Sequence, residues 1–359
     1  MPELLKNRYN QEYINSLCKT FKSAYAAFEV AKFNAFIFDA NWPETELKGR
    51  MRHISRALHH FLPQEYSAAL EILRVAAPDY GGFEAMFFPD FVELYGFEHY
   101  QESIAALEYF TQFSSSEFAV RPFIIKYPEQ MMAQMSLWAG SENYHVRRLA
   151  SEGCRPRLPW AMALPIFKQE PEPVLKILEL LKDDESEYVR RSVANNLNDI
   201  SKDNPESVIE VAKNWSGHSK NTDWVVKHAC RSLLKQAEPE IMALYGYNGI
   251  GHIQTAFLLV DDSVKMGASL QFSVELSTQQ KKLGRLRIEY AIDFMKNNGK
   301  LSRKIFKISE GDFNSSKKSI KKRHSFKLIS TRKYYAGIHR LVIIVNGEPM
   351  KSESFRLVE

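Results

Sequence analysis

The chain has 359 residues, of which 45% are hydrophobic and 25% charged, a globular composition long enough for two domains. Its three cysteines (Cys18, Cys154 and Cys230) are far apart and form no CxxC pair, which argues against a disulfide framework or a zinc site and fits a reducing compartment. The first residues lack an apolar signal core, and no window reaches transmembrane length. A cytoplasmic protein without a membrane partner is therefore expected.

The net charge of +5 is unevenly divided along the chain. Residues 254–359 carry 21 Lys and Arg against 10 Asp and Glu, a net charge of +11. The remaining residues carry 27 basic against 33 acidic side chains, a net charge of −6. Such an asymmetry indicates an anionic partner for the basic C-terminal part.

Up to about residue 245, hydrophobic residues recur at helical spacing, and prolines and glycines separate the segments. An aromatic-rich stretch at 83–100 is expected to be buried. The predicted helices lie at 11–38 (one or two helices), 47–62, 63–76, 102–113, 114–127 and 129–139.

Three related strings follow, YHVRRLA at 144–150, EYVRRSV at 187–193 and WVVKHAC at 224–230. Aligned on their central valines, they have periods of 43 and 37 residues, in the range of HEAT or armadillo helical repeats. Basic residues that recur at one position of a repeat form a stripe that can follow a phosphate backbone. The candidate residues for contact with a phosphate backbone in this region are Arg147, Arg148, Arg157, Arg190, Arg191 and Lys227.

After three glycines within residues 245–251 the hydrophobic period becomes two. Asn346-Gly347 is a strong hairpin signal. We therefore predict an all-α HEAT-like repeat solenoid at 1–245, a Gly-rich linker at 246–253, and a small all-β immunoglobulin-like sandwich at 254–359. The predicted strands lie at 269–276, 286–292, 303–308, 325–329, 339–345 and 352–358.

Three carboxylates beside the basic stripe are candidates for catalysis: Glu117, Glu152 and Asp199. Equivalent positions of successive repeats face one surface, so these acids can converge there. Unpaired carboxylates stabilise an oxocarbenium-like sugar and position a water, as they do in sugar hydrolysis. Each also has a structural alternative: Ser114 and Glu117 form a capping-box pattern, Glu152 can pair with Arg148, and Asp199 can pair with Arg191 or lie in a solvated loop.

The basic and aromatic candidates have structural alternatives as well. One arginine of each pair can bond an acid of the neighbouring repeat, such as Asp184, while the other faces the groove. Trp160 can pack in the core or contact a base by stacking. A charged run near the C-terminus can bind phosphate or form a solvated hairpin tip. Its candidate phosphate-binding residues are Lys317, Lys318, Lys321, Lys322 and Arg323.

Four segments together resemble the AlkC branch of the AlkC/AlkD superfamily of HEAT-like DNA glycosylases: EFAVRPF at 117–123, YHVRRLASEG at 144–153, RPRLPW at 155–160 and YVRRSVANNLND at 188–199. The resemblance covers essentially the whole helical part. It implies a fold that cradles damaged duplex DNA and hydrolyses the N-glycosidic bond of cationic N-alkylpurines and of N-alkylpyrimidines such as 3-methylcytosine. No lyase step, metal or cofactor is expected, and a monomer is expected.

Position by position, the resemblance implies that Glu117, Glu152 and Asp199 are active-site acids and that Trp160 and Arg155 flank the lesion. Some AlkC-type proteins have a C-terminal immunoglobulin-like domain that helps to grip DNA, a role that suits the basic β-rich segment. Two other classes of function stay open: a non-catalytic HEAT-repeat scaffold, and a protein that binds DNA structures without cleaving a bond.

Overall fold

The computed structural model describes residues 4–329 and 332–359. Within these residues the chain forms sixteen α-helices, four short 3₁₀ turns and eight β-strands. The helices are α1 (Gln11–Ala24), α2 (Val30–Ile37), α3 (Leu47–Phe61), α4 (Tyr66–Ala76), α5 (Phe87–Tyr95), α6 (Tyr100–Phe110), α7 (Val120–Lys126), α8 (Pro128–Ala139), α9 (Tyr144–Gly153), α10 (Pro165–Gln169), α11 (Glu172–Leu181), α12 (Glu187–Ile200), α13 (Pro205–Trp215), α14 (Lys220–Ala229), α15 (Arg231–Gln236) and α16 (Pro239–Leu244).

Among the helices predicted with bounds, α1, α3, α6 and α8 begin within two residues of the predicted position, whereas α4 begins three residues later than predicted, at Tyr66. Asn10 caps α1 by accepting from the backbone N–H of Tyr13, and Asn143 caps α9 in the same way. The predicted helix at 114–127 is an exception, since α7 begins only at Val120. Ser114 does not form the predicted capping box; its hydroxyl donates to the carbonyl oxygen of Gly82 at 2.7 Å. Glu117 is therefore free of a capping role.

The three repeated strings lie on α9, α12 and α14, and these helices pack side by side. Each also packs against the helix before it, α8, α11 and α13 respectively. The aligned valines Val146, Val189 and Val226 are all buried, which explains why this apolar position recurs. The predicted helical repeats are confirmed.

Two compact units divide the chain after Ala229, so that α15 and α16 group with the strands that follow. The glycine-rich segment predicted as a linker is packed within this second unit. Tyr247 and Ile250 are buried, and Asn346 donates to the carbonyl oxygen of Asn248 at 2.8 Å. Residues 246–253 are thus held by side-chain contacts that glycine content alone does not reveal.

The second unit contains two sheets, one of three strands in the order β1-β3-β6 and one of five in the order β2-β8-β7-β4-β5. Asn346 and Gly347 both have positive φ and connect β7 to β8, as the hairpin signal predicts. The strands are β1 (Ile253–Leu259), β2 (Ser263–Lys265), β3 (Ser269–Thr278), β4 (Gly284–Met295), β5 (Leu301–Phe313), β6 (Lys317–Ser325), β7 (Gly337–Val345) and β8 (Glu348–Val358).

Two details of the β-domain differ from the prediction. The charged run forms strand β6 and not the solvated hairpin tip that was one of its two interpretations. The strand predicted at 325–329 is absent from the described residues. Alternation in β3 explains the core: Leu270, Phe272, Val274 and Leu276 are buried, while the residues between them point away. Within the described residues, no helix combines the length and the hydropathy needed to cross a bilayer.

Candidate active site

Polar side chains on α9 and α12 meet in the interior between these two helices. Ser192, Asn196 and Asp199 follow i, i+4, i+7 spacing and therefore share one face of α12. Asn196 donates to the carbonyl oxygen of Ser151 at 2.7 Å, and the hydroxyl of Ser192 donates to Glu152 Oε2 at 2.6 Å. This face of α12 thereby orients the acid on α9.

Two arginines connect the three predicted acids into one network. Arg155 Nη1 lies 2.6 Å from Glu152 Oε1, and its Nη2 lies 2.7 Å from Asp199 Oδ2. Arg148 contacts Glu117 directly, and its Nη2 lies 3.4 Å from Glu152 Oε1. The order Glu117–Arg148–Glu152–Arg155–Asp199 alternates in charge, which allows three carboxylates to occupy one buried region.

The electrostatics of the arginines reflect this arrangement. Burial alone would lower the pKa of Arg155, but the charges of Glu152 and Asp199 outweigh burial and raise that pKa. Burial likewise opposes the charge on Arg148, and Glu152 and Glu117 again raise its pKa. Both guanidinium groups therefore stay charged inside the protein.

The predicted acids are brought together as expected, but they are not unpaired. Each one has a cationic partner, including Lys202, whose Nζ lies 2.7 Å from Asp199 Oδ1. The alternative pairing of Glu152 with Arg148 is present, whereas Asp199 pairs with Arg155 and Lys202 and not with Arg191. The expectation of free carboxylates is thus wrong, because buried charges require counter-charges.

Glu117 differs from the other two acids because it borders a cleft of about 390 Å³. One of its oxygens, Oε2, contacts Arg148 and accepts from Ser115 Oγ at 2.7 Å. Its other oxygen, Oε1, has no hydrogen-bond donor within the part of the chain that the structure describes. The other side chains that line the cleft are mostly aromatic or polar: Phe83, Met86, Thr111, Phe113, Ser114, Ser115, His145, Arg148 and Tyr188.

Trp160 lies in the loop after α9 and is 64% exposed. Its backbone has φ = 65°, a left-handed conformation that is rare for a bulky residue. Buried Arg121 supports the same loop by donating from Nε to the carbonyl oxygen of Met162 at 2.7 Å and from Nη1 to that of Gly153 at 2.9 Å. Burial lowers the pKa of Arg121 to about 10.

The basic residues predicted on the repeats lie in different environments. Arg147 is largely buried and contacts Asp184 with Nε to Oδ2 at 2.6 Å and Nη2 to Oδ1 at 3.0 Å. Arg190 donates to the backbone carbonyl oxygens of Asp184 and Glu185. Arg147 thus bonds an acid of the neighbouring repeat, as the structural alternative predicts, whereas Arg190 bonds backbone carbonyl oxygens of the loop before its own helix. A direct contact of either arginine with DNA would require an internal bond to break.

The other basic residues of the repeats lie nearer to solvent. Arg191 is exposed and pairs with Glu187. Arg157 makes a bidentate contact with Asp203, with Nε 2.7 Å from Oδ2 and Nη2 2.6 Å from Oδ1. Lys227 is half-buried on α14. Arg157 and Arg191 are therefore the candidate arginines of this unit that lie outside the acid network and are accessible for binding a phosphate.

The charged run of the second unit lies along β6, at an edge of the three-stranded sheet. Pairing with β3 places Lys321 opposite Ser273 and Arg323 opposite Gln271. These side chains alternate with Lys322, which is half-buried opposite Phe272. Lys317, Lys318, Lys321 and Arg323 are exposed, so the edge presents a row of positive charge.

Several residues of this site did not stand out in the sequence. Ser192 and Asn196 could have been found from their i, i+4, i+7 spacing with Asp199, which places the three polar residues on one face of α12. Ser115 and Arg121 gave no such signal, because the chain brings them to the site from before α9. Among residues 4–329 and 332–359, no group of three or more His, Cys, Asp or Glu side chains is arranged to hold a metal ion.

Comparisons with known proteins agree with this architecture. A family model described as "DNA alkylation repair enzyme" matches residues 97–233, and one described as the C-terminal Ig-like domain of the uncharacterised protein YhaZ matches residues 254–359. The "Uncharacterized protein YhaZ" of Bacillus subtilis (strain 168) is 47% identical over 355 residues, which is 98% of this chain and 99% of the relative. The fold and the matches together define a helical-repeat DNA alkylation repair enzyme with an immunoglobulin-like domain.

A solved structure narrows this class. It is described as the Pseudomonas fluorescens alkylpurine DNA glycosylase AlkC bound to DNA containing an abasic site analog. The similarity has a TM-score of 0.95 at 34% identity and covers 99% of this chain and 100% of that one. The chain belongs to the AlkC-type DNA alkylation repair enzymes.

Proposed function

We propose that this protein is a monofunctional DNA glycosylase that hydrolyses the N-glycosidic bond of cationic alkylated bases, such as 3-methyladenine and 3-methylcytosine, in duplex DNA. The observation that carries the proposal is the charge-alternating network of Glu117, Glu152 and Asp199, with one acid at the wall of a cleft. The 34% identity to AlkC along nearly the whole chain supports the same reaction.

The chemistry requires little acid catalysis from the protein. An N-alkylated base already carries a positive charge and leaves as a neutral molecule when the C1′–N bond breaks. The deoxyribose then becomes an oxocarbenium-like cation, which nearby carboxylates stabilise, and a water adds to C1′ with loss of a proton. Fixed carboxylates stabilise this charge well because they need no reorganisation during the reaction.

Within this mechanism we assign the contact with water to Glu117. Its Oε1 is uncommitted and its side chain belongs to the lining of the cleft, whereas both oxygens of Glu152 and of Asp199 accept hydrogen bonds from cationic or hydroxyl groups. Glu152 and Asp199 then supply negative charge near the sugar, and Arg148 and Arg155 fix their positions. Arg155 acts through these acids and, with Trp160, borders the lesion.

Monofunctional hydrolysis agrees with the lining of the cleft, which contains no lysine among the described residues. A lyase step needs a neutral amine that attacks C1′ and forms a Schiff base. Lys202, which lies beside Asp199, is in an ion pair with that acid. Its engagement with a carboxylate disfavours nucleophilic attack.

DNA engagement is assigned to exposed cations of each unit. In the first unit these are Arg157 and Arg191, which can exchange a carboxylate partner for phosphate, together with half-buried Lys227. In the second unit the edge strand β6 presents its row of lysines and Arg323. Phosphate contacts of this kind position a protein on DNA without reading its sequence.

A binder that recognises damaged DNA without cleaving a bond is the second candidate, because a fully ion-paired acid network also suits a purely structural role. The experiment is release of free bases from methylated duplex DNA, measured by chromatography with mass detection. Wild type is compared with Glu117→Gln, Glu152→Gln and Asp199→Asn. Glu210→Gln is the matched control, since Glu210 is exposed on α13 of the same unit and lies outside the acid network.

Release of 3-methyladenine or 3-methylcytosine by wild type and by the control, with a loss of about 100-fold or more in the acid variants, is the expected result. An intact DNA strand with an abasic site, and no borohydride-trapped covalent adduct, is expected for a monofunctional enzyme. Lesion binding by wild type without any released base would instead identify the binder.

A further inference from the structure

We infer that Lys48 is a positioning residue that sets Trp160 against the segment that carries Glu117. The inference rests on the proposed function, because it gives a role in base excision to the geometry of Trp160. Lys48 lies in the first turn of α3, distant in sequence from both residues that it contacts. Nothing in its local sequence pattern distinguishes it from an ordinary surface lysine.

The conformation of Trp160 needs support from outside its own loop. A tryptophan with φ = 65° is backbone-strained, and such strain persists only where surrounding contacts hold it. The exposed indole contributes little packing, and it approaches the ring of Phe83 edge-on at 6.3 Å between centroids. A contact to the backbone of Trp160 is therefore the most direct way to hold this conformation.

Lys48 supplies such a contact. Its Nζ donates to the carbonyl oxygen of Trp160 at 2.7 Å, and within the described residues it is the one side chain that hydrogen-bonds this residue. Arg121 holds the loop two residues further on, at Met162. Lys48 thus acts at the strained residue itself, while Arg121 fixes the loop to the end of α9.

The ammonium group of Lys48 also contacts the segment that contains Glu117. Lys48 Nζ lies 4.7 Å from the ring centroid of Phe118, a cation–π distance. Phe118 follows Glu117 directly in sequence. Lys48 therefore connects the loop of Trp160 with the segment that contains Glu117.

The first turn of α3 is fixed, so Lys48 extends from a rigid base. Arg50, two residues later, is buried and donates to the carbonyl oxygens of Thr45 at 3.0 Å, Lys6 at 2.8 Å and Trp42 at 3.1 Å. Because this turn cannot shift easily, the short contact to Trp160 constrains the loop more than it constrains α3. This asymmetry is what a positioning residue requires.

The test compares Lys48→Met with Lys48→Arg and with Arg56→Met, a control that removes an exposed charge from the same helix. The protein is labelled with 5-fluorotryptophan, and the ¹⁹F resonance of Trp160 is assigned with Trp160→Phe. Single-turnover rates of base release and the salt dependence of DNA binding are measured for the same proteins.

We expect Lys48→Met to shift or broaden the Trp160 resonance and to lower the single-turnover rate about 10-fold, with Lys48→Arg intermediate and Arg56→Met unchanged. An unchanged Trp160 resonance in Lys48→Met would overturn the inference. So would a slope of log Kd against log salt reduced by about 0.9, since that identifies a direct phosphate contact. If wild type released no base, the proposed function would fail, while the resonance would still report whether Lys48 holds Trp160.

Discussion

Arg155 and Asp199 are joined by two contacts to a single carboxylate oxygen, with Nε at 2.8 Å and Nη2 at 2.7 Å from Oδ2. Both side chains are more than nine-tenths buried. Asp199 lies at the end of α12, whereas Arg155 follows α9, so the contact links successive repeats. The pair therefore has a structural role in addition to any part in catalysis.

Replacement of Arg155 by methionine is expected to destabilise the protein strongly. The change leaves Asp199 and Glu152 buried without their shared cation, and breaking a buried pair in this way costs about 3–5 kcal/mol. The measurement is the free energy of unfolding in urea. Arg157→Met is the control, because its pair with Asp203 is more exposed and should cost about 1 kcal/mol or less. Equal losses in the two variants would contradict the structural role of Arg155.

Arg147→Met is expected to reduce stability without altering the salt dependence of DNA binding. Hydrogen bonds to Asp184 raise the pKa of Arg147, and the guanidinium also donates to the carbonyl oxygens of Ser141 and Glu142. Loss of these contacts should lower the free energy of unfolding by about 2–4 kcal/mol. A folded variant with a reduced slope of log Kd against log salt would show that Arg147 contacts phosphate after all.

The triple change of Lys317, Lys321 and Arg323 to glutamine is expected to weaken DNA binding and leave the fold intact. These residues are exposed on the edge strand β6. Each lost phosphate contact should reduce the slope of log Kd against log salt by about 0.9 for duplex DNA. Titration at several salt concentrations, with melting temperature as the check on folding, provides the measurement. The corresponding triple change of Lys296, Lys300 and Lys304, which are exposed and lie outside β6, serves as a control for net charge.

Asp90→Asn is expected to change how stability depends on pH. Burial raises the pKa of Asp90 to about 6, although Arg52 Nη2 lies 2.8 Å from its Oδ1. Between pH of about 4 and 6 the folded protein retains a proton that the unfolded chain has lost, so stability falls as the pH rises through this window. At about 1.4 kcal/mol per pKa unit, the fall attributable to Asp90 is at most about 3 kcal/mol.

The asparagine variant lacks this titration, and its free energy of unfolding should vary less between pH 4 and 6 than that of wild type. Glu93 remains as a partner of Arg52 at 2.7 Å, so the arginine is not left unpaired. Urea unfolding at several pH values for both proteins gives the difference directly. Parallel curves would show that Asp90 has an ordinary pKa in the folded state.

Much of the fold follows from the sequence because local signals fix it. Buried valines at intervals of 43 and 37 residues mark helices that stack as repeats, and Asn346-Gly347 marks a hairpin because both positions adopt positive φ. The run of lysines at 317–323 was harder to interpret. The many lysines make its alternating strand pattern difficult to recognise, although Ile320 and His324 are turned toward the core.

Only part of the candidate active site could be predicted from the sequence. The resemblance indicates the three acids, but their partners depend on which helices lie side by side. Glu152 and Asp199 are 47 residues apart and share Arg155 only because α9 packs against α12. The expectation of unpaired carboxylates failed for this reason, since sequence spacing contains no information on counter-charges from another helix.

The sequence by itself determined the helical repeats, most of the strands and the identity of the family, because periodicity, turn residues and motifs are local properties of the chain. Tertiary structure alone decided that Arg147 and Arg148 both pair with acids inside the protein while Arg191 is exposed, that Glu117 borders a cleft with one oxygen uncommitted, and that Lys48 reaches Trp160. These features arise from contacts between residues distant along the chain, and their energies depend on burial and on the nearest opposite charge.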